Sequence, residues 1–396
     1  MSENVELTEL LKVAVKGQAS DIHLKAGLPP MFRIDGALMP LKDGRRMPPE
    51  EVMKMALSLM TPQQKTHFEK FREIDMGYGV PGVGRFRVNV FMQRGSVGIV
   101  FRVIPFKVLP LAELNLPKVI ENICLERRGL ILVTGTTGSG KSTTLSSMID
   151  FINSRITGHI LTIEDPIEFL IRDKRCVINQ REIGVDTLTF SSALRAALRQ
   201  DPDVILVGEM RDHETIETAL NAAETGHLVL STLHTLDATE TINRIVGIFP
   251  PHQQKQIRMQ FASVMRGIIS QRLVPKLDGK GRVPACEILV ANSRIRELIE
   301  NDERTREIPQ AIAQSHTTYG MQTFDQSLLS LYNQKLISYE EALKQSSNPD
   351  DFALRVKGIS STSDTTWDDF DKGSGGPSGG ASGGSEGGGK MPIERF

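Results

Sequence analysis

Between residues 117 and 250 the chain alternates two patterns. Short continuous apolar runs are separated by stretches whose apolar positions recur at helical spacing. The runs predict strands at Gly129–Thr134, His159–Glu164, Val204–Glu209 and Leu228–His234. The stretches between them predict helices at Ser142–Ile156, Phe190–Arg199 (capped near Thr189), Thr215–Glu224 (closing at Gly226) and Glu240–Ile248, which stops before Pro250-Pro251. Strands interleaved with helices imply a parallel sheet with crossover connections. Beyond it, Gln253–Lys357 reads as mostly helical, with a late strand at Val283–Leu289.

The first hundred residues mix elements differently. Val5–Val15 places Leu7, Leu10, Leu11 and Val15 on one helical face. Met31–Ile34 reads as a strand turning at Asp35-Gly36, and Pro48–Met60 as a helix with proline at its start. Gly84–Phe91 alternates Phe86, Val88 and Val90 against Arg85, Arg87 and Asn89, and Val97–Val103 follows as its partner strand. The expected organisation is an α+β unit over 1–108, a proline-rich linker over 109–117, an α/β unit with a helical C-terminal part over 118–357, and a tail over 358–396. The tail is dominated by Gly and Ser and cannot bury enough surface to offset its ordering entropy, so it is expected to be flexible. Trp367, in an acidic run, and the closing Met391–Phe396 each read either as part of a frayed end or as a short docking peptide on a tether.

Composition narrows the function. Lys and Arg total 47 against 48 Asp and Glu, a formal net charge of −1, so no nucleic-acid partner is expected. The apolar runs are too short to cross a bilayer, and the acidic start lacks the build of a signal peptide. The three cysteines, Cys124, Cys176 and Cys286, are widely spaced, which fits neither a cysteine-pair zinc site nor a disulfide framework, and suits a reducing cytosol.

The chemistry centres on Gly135-Thr136-Thr137-Gly138-Ser139-Gly140-Lys141-Ser142-Thr143, which contains G-x-x-x-x-G-K-[ST] between a strand and a helix. Glycines let backbone N–H groups face phosphate oxygens, and the helix N-terminus adds its positive end. Lys141 then reaches the β- and γ-phosphates of ATP, and Ser142 holds Mg2+. Glu209 closes the third strand, where it either polarises the attacking water or holds the metal through a water. Gly208 stands where the usual motif has Asp. Glu164 and Glu168, closing the second strand, are further candidates for the metal or water. His227 and His234 bracket the fourth strand as candidate γ-phosphate sensors. Arg85, Arg87, Arg94 and Arg102 are candidates for neutralising transition-state charge, in cis or from a neighbour.

Four blocks in order resemble the secretion ATPase superfamily, and within it the PilT family of type IV pilus retraction ATPases. They are the phosphate loop, an Asp box at Ile163–Glu168, an atypical Walker B at Asp203–Asp212 and a His box at Thr225–Thr235. Ala19-Ser-Asp21-Ile-His23-Leu and Gly320–Leu329 add weaker terminal matches, so the resemblance covers about residues 5–345. It implies an N-terminal PAS-like domain followed by a RecA-like P-loop domain, assembled as a homohexameric ring. ATP would bind between the two domains, with N-terminal arginines closing on the phosphates. The implied function is cytoplasmic, peripheral at the inner membrane: hydrolysis acts on the membrane platform protein to withdraw pilin. The same core serves pilus extension and type II secretion, but those relatives usually carry an extra N-terminal domain and a four-cysteine zinc insertion, neither of which matches this sequence. A RecA-like nucleic-acid motor and a non-catalytic ring scaffold are the remaining alternatives. A helix near the C-terminus differs from the family's retraction motif: of Arg294–Asn301, Ile295, Arg296, Leu298 and Ile299 agree and the other four positions depart.

Overall fold

The computed structural model describes residues 2–358, except 35, 43 and 105–107. The expected tail, with Trp367 and Met391–Phe396, lies outside the described residues.

Two sheets organise the chain. The first is antiparallel throughout and uses β1 (Asp21–Lys25), β2 (Met31–Ile34), β3 (Ala37–Pro40), β4 (Glu73–Val80), β5 (Gly84–Gln93) and β6 (Ser96–Ile104), in the order β3-β2-β1-β6-β5-β4. Ile22 lies across from Phe32 on one side and Phe101 on the other. Phe101 meets Phe86 edge to face at 6.3 Å. Leu7 and Leu11 from the helix Ser2–Lys16, and Val52 and Ala56 from Pro49–Leu59, close this core. Of these strands, β1, β3 and β4 were not expected, nor was the helix Pro62–Phe71. The reasons are local. β3 is short and exposed throughout, and Gly77 and Gly79 dilute the alternation of β4.

The second sheet has β7 (Gly129–Thr134), β8 (Gly158–Glu164), β9 (Cys176–Glu182), β10 (Val204–Val207), β11 (Leu228–Leu233), β12 (Met265–Pro275) and β13 (Arg282–Val290), in the order β13-β12-β7-β11-β10-β8-β9. All pairs are parallel except β12 with β13. Both faces are covered, which is why the central strands read as continuous apolar runs. Along β7, Leu130 and Leu132 enter one core and Ile131 and Val133 the other. The prolyl stretch before this sheet is not a free linker: Leu111 is buried in the second of these cores, and Ser147 Oγ donates to the Leu109 carbonyl at 2.6 Å.

Residues 253–357 are mostly helical, as expected, with β13 over the expected late strand, but β12 was not expected there. The helix Pro251–Val264 passes straight into this 11-residue strand with no turn residue between them. Burial on both faces also removes the polar alternation that marks a half-exposed strand. β9 escaped notice for the opposite reason: it is a polar edge strand, Cys-Val-Ile-Asn-Gln-Arg-Glu.

One buried acid on β13 sets a pH dependence. Glu287 sits under the helix Ala238–Gly247 and accepts from the Ala238 N–H at 2.8 Å. Burial pushes its carboxyl up to about 7; Asp237 and Asp325 push the same way, against the Ala238 amide and Arg272. The folded chain therefore keeps a proton that the unfolded chain releases near 4.5, so stability falls as pH rises from there through about 7. E287Q should flatten that slope and gain up to about 3 kcal/mol at pH 8. Urea unfolding of both proteins at pH 5 and pH 8 measures it.

Candidate active site

Four strands bring their C-terminal ends to one edge of the second sheet, and a fifth passes it. β7 runs into the loop 135–140, β8 ends at Glu164, β10 leads to Glu209, β11 to His234, and β12 passes Gln271 beside β7. That edge is where open parallel sheets bind ligands. A cavity of about 590 Å3 lies there, lined by Thr137, Gly138, Gly140, Lys141, Ser142, Thr143, Glu164, Glu168, Glu209, Arg211, His234 and, from the first sheet, Arg102. Gly135, Thr136 and Ser139 line an adjoining cavity instead.

The loop is built on glycine. Gly135, Gly138 and Gly140 have φ of +141°, +80° and +94°. A Cβ at Gly135 would come within 2.4 Å of the Gln271 carbonyl oxygen, whereas one at Gly138 would meet nothing within 4 Å and would stand in open space. Gln271 braces the turn from behind. Its Nε2 donates to the Ser139 carbonyl at 2.9 Å, and its Oε1 accepts from Thr144 Oγ1 at 2.9 Å. Lys141 Nζ donates to the carbonyls of Gly135 and Thr136 at 2.8 and 3.0 Å. Burial lowers its pKa, while Glu209 and Glu168 pull the other way. Ser139 Oγ is buried without a hydrogen-bond partner among the described residues. Open backbone at Gly138, a buried cation and an orphaned hydroxyl suit a phosphate group.

The acids divide by environment. Glu209 receives Arg211 at 2.7 Å and His234 Nε2 at 3.3 Å. Burial pushes its carboxyl up, but Arg211 and His234 together outweigh it and hold the group below the usual carboxylate range. Thr232 Oγ1 donates to the Gly208 carbonyl at 2.6 Å and fixes the turn that aims Glu209. Glu164 is the contrary case: burial raises its pKa despite bonds from Thr162 Oγ1 at 2.6 Å and Gln180 Nε2 at 3.1 Å. Ser142 Oγ donates to Glu168 at 2.9 Å, so Glu168 rather than Glu164 stands next to the candidate metal ligand.

Other expected residues fall elsewhere. His227 precedes β11 at its N-terminal end and bonds the Ala222 carbonyl at 2.9 Å. It lies about 20 Å along the strand from the cavity edge, so its expected place beside the phosphates is corrected. Arg85 pairs with Glu182 at 2.8 Å, Arg87 with Asp75 at 3.8 Å, and Arg94 sits in the β5–β6 turn. Arg102 lines the cavity, with its Nε bonded to Asp21 at 3.0 Å.

The family profile described as Type II/IV secretion system protein matches residues 3–344. The chain belongs to this secretion ATPase family. It is 49% identical over 353 residues to the Type IV pilus retractation ATPase PilT of Pseudomonas aeruginosa, covering 88% of this chain and all of that protein. It is 46% identical to a twitching motility protein of Neisseria gonorrhoeae, over 82% of this chain and 86% of that one. A crystal structure of the pilus retraction motor PilT with bound ADP superposes with a TM-score of 0.78 at 50% identity, covering 87% of this chain and 97% of that one.

Within this secretion ATPase family member, Gln271, Arg211, Arg282 and Asp21 also shape the site, and none was expected from the sequence to have a role there. Arg211 and Asp21 stand inside quoted motifs and were in reach. Gln271 and Arg282 arrive on β12 and β13, whose meeting with the loop only the fold reveals. Q271A removes both braces of the loop and should weaken nucleotide affinity about tenfold. Titration with a fluorescent ADP analogue reads the change; unchanged affinity would exclude Gln271 from shaping the loop.

Proposed function

We propose that this chain is an ATP-hydrolysing motor that drives type IV pilus retraction and works as a homohexamer. The observation that carries the reading is one cavity joining Lys141, Glu209 and Arg102, in a chain matching a retraction ATPase along that protein's whole length. On this reading the first sheet belongs to a PAS-like domain and 118–357 to a RecA-like domain.

Lys141 exchanges its loop carbonyls for the β- and γ-phosphates. Ser142 Oγ and Glu168 would hold Mg2+, which when bound would supply charge neutralisation at the phosphates. Among the described residues no three His, Cys, Asp or Glu side chains converge on a metal, so its other ligands would be phosphate oxygens and water. Glu209, kept ionised by Arg211 and His234, accepts a proton from the attacking water. His234 orients Glu209 and reports the γ-phosphate side of the cavity. Glu164, caged by Thr162 and Gln180, supports the Glu168 turn and would stand beside Mg2+ when it is bound. Arg102, held by Asp21, brings positive charge to the transition state from the first domain. Arg85 and Arg87 are paired elsewhere in this chain, and Arg94, exposed in the β5–β6 turn, is placed to reach a neighbouring subunit. ATP turnover is transmitted to the inner-membrane platform protein. No helix among the described residues is long and apolar enough to cross a membrane, and attachment as a peripheral cytoplasmic ring suits that reading.

K141A should show no ATP turnover in a phosphate-release assay; normal turnover would overturn the phosphate-loop role. E209Q should still bind ATP while turnover drops at least about 100-fold. Placed on the chromosome, E209Q should leave abundant surface pili with twitching lost. Bald cells would reverse the direction of work to extension.

A further inference from the structure

The loop that carries Glu168 is held from β9, and one of its holds is shared with the first domain. Glu182 ends β9 directly across from Glu164, and its side chain is only 3% exposed. Its Oε2 accepts two N–H groups: Arg85 Nη2 of β5 at 2.8 Å and the Ile167 amide at 3.1 Å. Its other oxygen lies against Gly77 of β4, where an added Cβ would stand 2.2 Å from Oε1. A single carboxylate thus touches two strands of the first sheet and the backbone of the acidic turn. Ile167 is the neighbour of Glu168, whose carboxylate receives the Ser142 hydroxyl. The other hold from β9, Gln180 on Glu164 and on the Phe169 carbonyl at 2.9 Å, stays within the second sheet.

We infer that Glu182 is a positioning residue through which the seating of the first domain sets the acidic turn facing Ser142. Resting on the ATPase reading above, this assigns Arg85 a coupling role in place of a charge-neutralising one. When β4 and β5 sit against β9, Arg85 fixes Oε2, Oε2 fixes the Ile167 amide, and Glu168 is presented to Ser142. When the first domain lifts, Glu182 loses its cation and its glycine wall, and the turn loses a buried anchor. Phosphate binding through Lys141 and the loop amides involves none of these contacts. The coupling therefore acts on the chemical step and leaves nucleotide capture alone.

The test is a double-mutant cycle on the full chain in its assembled form, reading kcat and KM for ATP. R85Q and E182Q should each lower kcat about tenfold with KM within about twofold, and R85Q/E182Q should be no slower than either single variant. R85K keeps a cation for Oε2 and should recover most of the rate. G77A attacks the same contact from the other side without touching either charge. It should reproduce the kcat loss, and it serves if E182Q does not fold. Losses that multiply in the double variant, a rise in KM with kcat intact, or unchanged kcat in both R85Q and G77A would overturn the assignment. Absence of turnover in the wild-type protein would overturn the ATPase reading beneath it, which is a different result from wild-type turnover with insensitive variants.

Discussion

The site depends on the position of β7 between β11 and β12, with both neighbours parallel to it. Parallel pairing in this register sets the ends of β7 and β11 level, while β12 runs on past them. The loop leaving β7 therefore has His234 on one side and Gln271 on the other. Close approach follows: the Gln271 carbonyl stands where a side chain at position 135 would be, and the Gln271 amide group spans the turn to Ser139 and Thr144. The phosphate loop turns on glycines at positive φ, a conformation glycine adopts without a side-chain clash. Here its shape is braced by a neighbouring strand that arrives more than a hundred residues later in the chain.

That distance explains what could be read from the sequence and what could not. The central strands announce themselves as apolar runs, since both faces of the sheet are buried, and each ends in a residue of chemical note. Lys141, Ser142, Glu209 and His234 could be placed on one edge from that alternation alone. His227 could not be excluded, because a strand's period of two relates faces and says nothing about which end meets the ligand. β9 and β12 were hidden by opposite extremes of polarity. With them were hidden Gln180, Glu182 and Gln271, which hold the residues that carry the motifs. The arginines of the first sheet were visible as a set, but only tertiary pairing separates Arg102, at the cavity, from Arg85, at the domain contact.

The acids around the cavity show how environment divides labour among identical side chains. Glu209 keeps its charge because Arg211 and His234 together outweigh its burial, while Glu164, buried among neutral donors, is pushed towards its protonated form. Glu168 is exposed and meets a hydroxyl. Glu182 is buried and meets a guanidinium from the first sheet. Four glutamates within reach of one cavity wall thus have four different electrostatic settings, none of which is set by sequence spacing.

The self-contacts of Lys141 have a kinetic meaning. Its ammonium already bonds two carbonyls of its own loop, so a nucleotide entering or leaving the site exchanges one set of partners for another and strands no bare charge. On the reading proposed above, those bonds stabilise the empty pocket and so favour release of spent nucleotide. A machine that must discard spent nucleotide at every stroke gains more from such a forgiving seat than from a tight one.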